Sequence, residues 1–140
     1  MYSYFEFSIG VDDMSCVNSI WDQAESIEDI ILDYLVNGFG FYGSRMKFTT
    51  FVDREYKQVS IYLLLNKYSF DIKLWKNYKC NLFNELSRLL KRYNIKQKFK
   101  YSRKPSIYRD TEEYFITLSY EQISELYYCL KTFENIPTKN

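Results

Sequence analysis

Histidine is absent from all 140 residues. That absence removes Ser-His-Asp and Cys-His catalytic arrangements and every His-ligated zinc site. Three cysteines, Cys16, Cys80 and Cys129, are widely spaced and odd in number. They argue against a disulfide framework or a zinc cluster and for reduced thiols. No apolar run approaches the roughly 18 residues needed to cross a bilayer; the longest, IYLLL, covers 61–65. MYSYFEFSIG, at the N-terminus, lacks the basic start and apolar core of a signal peptide. The expectation is a cytoplasmic protein with no membrane partner, no cofactor and no metal.

What is present fits one folded domain, 1–140. Apolar residues make up 46% and charged residues 26%, ordinary values for a chain that buries a core. Phe, Tyr, Ile, Asn and Lys account for 60 of the 140 residues, whereas alanine occurs only at Ala24. AT-rich codons explain much of that bias. They do not explain where the charges fall. Residues 1–44 hold eight Asp/Glu and no Lys or Arg; residues 45–109 hold 17 basic and four acidic side chains; residues 110–140 return to a net of −4.

Hydrophobic periodicity predicts an antiparallel sheet with about three helices packed on it, an α+β domain. Strands are expected at 2–11, at 45–53 and 57–65 as a hairpin turned at Asp53-Arg54-Glu55, at 67–75, at 96–104 and at 113–118. A helical region starts near Asp13 and ends at Asn37-Gly38. Within it Ser26-Ile27-Glu28-Asp29 has the shape of a capping box, so the region reads as one kinked helix or two. A second helix is expected over 78–93, with Leu82, Phe83, Leu86, Leu89, Leu90 and Tyr93 at helical spacing. Ser119 and Gln122 form a capping box for a last helix that buries Ile123, Leu126, Tyr127, Leu130 and Phe133.

Four features could carry chemistry. GFGFYG, 38–43, matches the dinucleotide pattern G-x-G-x-x-G, but that site needs a strand before and a helix after. Here the order is reversed, so Gly38 reads as a helix stop and Gly40 and Gly43 as a bend. Adjacent pairs Asp12-Asp13 and Glu112-Glu113 point their side chains apart, which leaves carboxylate catalysis to groups gathered by the fold. No catalytic residue is assigned, and the chain is expected not to be an enzyme.

The third feature is the stretch 21–38, with five carboxylates and no basic side chain. On a helix turning about 100° per residue, Asp22, Glu25, Asp29 and Asp33 fall within roughly 80°, opposite Ala24, Ile27, Ile31 and Tyr34. The ridge would be roughly 16 Å long. Its like-charge pairs at i,i+4 cost a few tenths of a kcal/mol each. Two structural explanations compete with a docking role: a first-turn dipole effect if Ser26 caps the helix, and neutralisation by lysines of the same fold. As a docking surface, the ridge would steer a basic protein. Tyr34 and the loop 38–43 are candidates for an aromatic anchor.

The fourth feature is KRYNIKQKFKYSRKPSIYR, 91–109, with eight basic residues, no acid and interleaved Tyr93, Phe99, Tyr101 and Tyr108. Lys96, Lys98, Lys100, Arg103 and Lys104 could track phosphates while the rings stack on unpaired bases. A lysine-protected edge strand with its aromatics turned inward explains the same alternation. The edge strand is the favoured reading.

The general build of the whole chain, and the acidic DQAESIEDIILD at 22–33 in particular, resembles the immunity proteins that bacteria pair with secreted or contact-delivered toxins. The resemblance implies tight, stoichiometric binding to a cognate toxin domain, often a basic nuclease. The site would be Asp22, Glu25, Asp29, Asp33 and Tyr34. The rival expectation is a single-stranded nucleic-acid-binding module built on 91–109.

Overall fold

The computed structural model of the protein describes residues 19–102 and 110–132. Helix α1, Ile20–Asp33, runs directly into a π-helical turn, Tyr34–Gly38. A short 3-10 turn, Gly43–Arg45, leads into strand β1, Met46–Asp53, which pairs with β2, Gln58–Asn66. Then come α2, Ile72–Arg92, the two-residue strand β3, Lys100–Tyr101, strand β4, Thr111–Ser119, and α3, Tyr120–Thr132. The sheet is antiparallel throughout, in the order β1-β2-β4-β3. Among the described residues this is the expected α+β arrangement, with three helices and a four-stranded sheet.

The alternation of β2 decides which face of the sheet is covered. Val59, Ile61, Leu63 and Leu65 are each at most 2% exposed, and their register partners Met46, Phe48, Ile116 and Leu118 are buried on the same face. On that face α1 contributes Ala24, Ile27 and Ile31, α2 contributes Leu82, Leu86, Leu89 and Leu90, and α3 contributes Ile123, Leu126 and Leu130. Each fully buried Leu or Ile stabilises by about 1.5–3 kcal/mol through removal from water. This layer therefore fixes which side of every helix remains in solvent.

The last helix starts as its sequence requires. Ser119 Oγ accepts from the Gln122 backbone N–H at 3.1 Å, and the Gln122 side chain accepts from the Ser119 N–H at 3.0 Å. Phe133 and the strand expected at 2–11 lie outside the described residues, as does the start of the first helical region near Asp13.

Three expectations need correction. Ser26 does not cap a helix: it lies inside α1, and Ser19 is the N-cap, accepting from the Asp22 N–H at 3.1 Å. Burial explains the choice, because Ala24 and Ile27 straddle Ser26 in one continuous buried stripe. Residues 67–75 are not a strand. A turn closed by the Phe70 N–H on Lys67 O, with Ser69 at φ 69°, delivers Asp71 as the N-cap of α2. Tyr68, Ile72 and Leu74 alternate in sequence, yet all are exposed, so no buried face rewards an extended chain. The basic segment 96–104 contributes only Lys100 and Tyr101 to the sheet, with 103 and 104 outside the described residues.

Candidate protein-binding face

The local geometry of α1 follows from its stripe. Ala24, Ile27, Ile31 and Leu35 are at most 4% exposed, which turns the opposite arc of the helix outward. Asp22, Glu25, Asp29 and Asp33 are all exposed on that arc. Among the described residues no Lys or Arg makes an ion pair with any of the four; the ion pairs there are Lys67–Glu112, Lys79–Glu112 and Arg88–Glu85. Asp33 accepts a hydrogen bond from the Asn37 side chain one turn on. Of the two structural explanations, the first-turn dipole effect accounts for Asp22 alone, because the cap is Ser19 and not Ser26; Glu25, Asp29 and Asp33 lie beyond that turn, and the ridge has no lysine counterpart among the described residues.

Glu28 stands apart from the ridge. It is half-buried at the edge of the sheet and accepts from Thr50 Oγ1 on β1. Burial pushes its carboxyl above the ordinary value, the Thr50 hydrogen bond opposes this, and the charges of Glu25 and Asp29 add to the rise.

Tyr34 cannot serve as the aromatic anchor. It is 4% exposed, packed edge-on against Phe39 at 5.0 Å, and burial is the first cause of its raised phenol pKa. The stripe that exposes the acids buries Tyr34, which sits among Ala24, Ile27 and Ile31. The aromatic that does border the ridge is Trp21, 44% exposed and one turn before Glu25. Sequence reasoning passed over it. Its i,i+4 spacing to Glu25, off the buried stripe, was the signal.

The glycine loop behaves as a helix terminator. Gly40 has φ +77°, the Gly40 N–H bonds Val36 O and the Phe41 N–H bonds Leu35 O, both at 3.0 Å. The negative end of the helix dipole points at this loop, which is the wrong polarity for phosphate. In the basic segment, Lys96, Lys98 and Lys100 are exposed and make no ion pair among the described residues. Of the rings beside them, Phe99 is partly buried, 6.3 Å from Phe83, whereas Tyr101, 5.4 Å from Tyr114, remains 58% exposed. Arg103, Lys104 and Tyr108 are outside the described residues.

A second carboxylate centre was not anticipated. Glu112 on β4 accepts from Lys79 Nζ at 3.0 Å, Tyr114 Oη at 2.8 Å and Trp75 Nε1 at 3.2 Å, with Lys67 Nζ at 3.6 Å. Burial pushes its carboxyl up, but the three hydrogen bonds and the Lys79 charge outweigh burial and hold it below the ordinary value. Tyr114 responds in the other direction, its phenol pushed well up by burial and then by Glu112. Glu113, its neighbour in sequence, alternates to the opposite face of the sheet. Among the described residues no cluster of three or more His, Cys, Asp or Glu could hold a metal ion, and no helix is long and apolar enough to cross a membrane.

No family model, no curated protein and no solved structure matches this chain.

Proposed function

We propose that the protein is a non-catalytic binder that docks a cationic protein partner on the outward face of α1. Asp22, Glu25, Asp29 and Asp33 would meet the partner's Lys and Arg, with Trp21 as the aromatic anchor. The observation that carries this reading is the exposed ridge without an ion pair among the described residues. Like-charge pairs at i,i+4 lower the helix's own stability, so Glu25, Asp29 and Asp33, beyond the first turn, gain nothing until an opposite charge arrives. The resemblance to immunity proteins would make the partner a basic toxin domain, a nuclease being the natural case. A nuclease's cationic groove for nucleic acid would be closed by occlusion. This reading also places the protein in the cytoplasm of the cell that makes the toxin.

The test is affinity capture from the native cell with the wild type and with Asp29→Lys/Asp33→Lys. The expected result is one strongly basic protein, held at equal stoichiometry by the wild type and lost by the variant with an unchanged circular-dichroism spectrum. Equal retention of that protein by the folded variant would reject the ridge.

The nucleic-acid reading is supported by the exposed lysines 96, 98 and 100 and by the exposed ring of Tyr101 beside them. It requires salt-dependent retention on single-stranded DNA or RNA, and absence of retention at low salt would end it.

A further inference from the structure

A groove of about 470 Å³ opens between α2 and the turn that follows the π-helical end of α1. Its size is within the usual range for small-molecule sites. Positions 78, 81, 85 and 88 form one stripe of α2 at i, i+3, i+7 and i+10, and that stripe makes one wall. We propose that this groove binds a neutral carbohydrate, with a sugar ring stacked on Tyr42 and its hydroxyls held by Asn81, Asn84 and Arg88.

The aromatic part is built before any ligand arrives. Tyr42 is 56% exposed and lies nearly parallel to Tyr78, 6.0 Å between centroids at 10°. Tyr78 is itself wedged by Phe41 at 5.6 Å, Phe70 at 5.1 Å and Trp75 at 5.8 Å. The platform is therefore pre-ordered, and little rotamer entropy is lost on binding. Its solvent side offers the flat π surface on which the C–H face of a pyranose packs. At the lip of the groove, Gly40 has nothing within 4 Å of the place a Cβ would occupy, which leaves room for a ring.

The polar part selects the ligand class. Each amide has donors and acceptors, Asn81 makes no hydrogen bond among the described residues, and Asn84 has only a weak contact to Cys80 Sγ at 3.8 Å. Arg88 Nη1 bonds both Glu85 oxygens at 3.1 Å, which cancels the two charges and leaves the remaining guanidinium N–H groups free. A wall of mixed donors and acceptors with no net charge matches hydroxyls, which both donate and accept. It does not match a nucleotide, because the only guanidinium is already paired with a carboxylate. An extended peptide is also disfavoured, since helix and turn line the groove and no strand edge is offered to its backbone.

The experiment is a ¹⁵N NMR titration of the full chain with cellohexaose, chitohexaose and mannohexaose, each to about 5 mM, which reaches millimolar affinities. Saturable shifts are expected at backbone amides 39–42 and at the side-chain amides of Asn81 and Asn84. Tyr42→Ala and Asn81→Ala, both at exposed positions, should each weaken binding by about tenfold. The proposal is overturned by no saturable shift with any of the three sugars, or by shifts indifferent to both substitutions. It is also overturned if an uncharged acetylated hexaserine amide saturates the same amides at lower concentration. Asp29→Lys/Asp33→Lys should leave the sugar titration unchanged, so this site and the α1 face can fail separately.

Discussion

Glu112 on β4 and the carboxylates of α1 are acidic groups treated in opposite ways by one small fold. Glu112 is met by two lysines, an indole N–H and a phenol, and its proton affinity falls. Asp22, Glu25, Asp29 and Asp33 meet no cation among the described residues, and the nearby Glu28 has its proton affinity raised. Lysine supply is not the reason, because residues 45–109 carry 17 basic side chains. The fold spends Lys67 and Lys79 on the carboxylate that bridges α2 to the sheet and leaves the ridge to solvent. A compensated carboxylate holds structure together; an uncompensated one is available for a partner.

The difference should be largest in stability. Glu112→Ala strands Lys79, the Trp75 N–H and the Tyr114 hydroxyl together and should cost about 2–4 kcal/mol, read as a fall in the urea midpoint. Trp21→Ala should act mainly on the complex, weakening partner binding by about 2 kcal/mol in a calorimetric titration. Asp29→Asn removes both like-charge i,i+4 pairs and should stabilise the free protein by about 0.5 kcal/mol, an increment that shrinks with added salt. An equally large loss from Asp29→Asn as from Glu112→Ala would erase the contrast.

The pH dependences should have opposite signs. The Glu112 carboxyl is depressed in the fold, so its contribution is present above its ordinary 4.5 and lost as pH falls through the folded value. The stability gap between wild type and Glu112→Gln should therefore close in acid. The Glu28 carboxyl is raised, so its contribution is present below 4.5 and lost as pH rises through the folded value. Glu28→Gln should thus gain stability relative to wild type at neutral pH, by a few tenths of a kcal/mol, and lose that gain in acid. Urea titrations at a series of pH values measure both.

Much of this was legible because local rules and burial agreed. The β1–β2 hairpin, the leucine stripe of α2 and the Ser119/Gln122 box each had a sequence pattern that tertiary packing also satisfied. The wheel of α1 likewise placed its acids opposite Ala24 and Ile27. Where two local signals competed, the sequence could not arbitrate. Ser26-Ile27-Glu28-Asp29 has the shape of a capping box, but the continuity of the buried stripe through it leaves Ser19 as the cap. The alternation of Tyr68, Phe70, Ile72 and Leu74 mimics a strand, but the Asp71 cap and a long α2 prevail. The Glu112 centre joins residues up to 47 positions apart (67, 75, 79, 112 and 114), and no short-range pattern encodes such a meeting.

The most direct measurement is the association rate of the captured basic partner with wild type and with Asp29→Lys/Asp33→Lys, at about 0.05 and 0.5 M salt. A solvent-facing ridge that steers a cation gives a wild-type rate that falls steeply with salt. The variant's rate should then be at least about tenfold slower at low salt and nearly salt-independent. Equal rates and equal salt slopes for the two proteins would contradict the account.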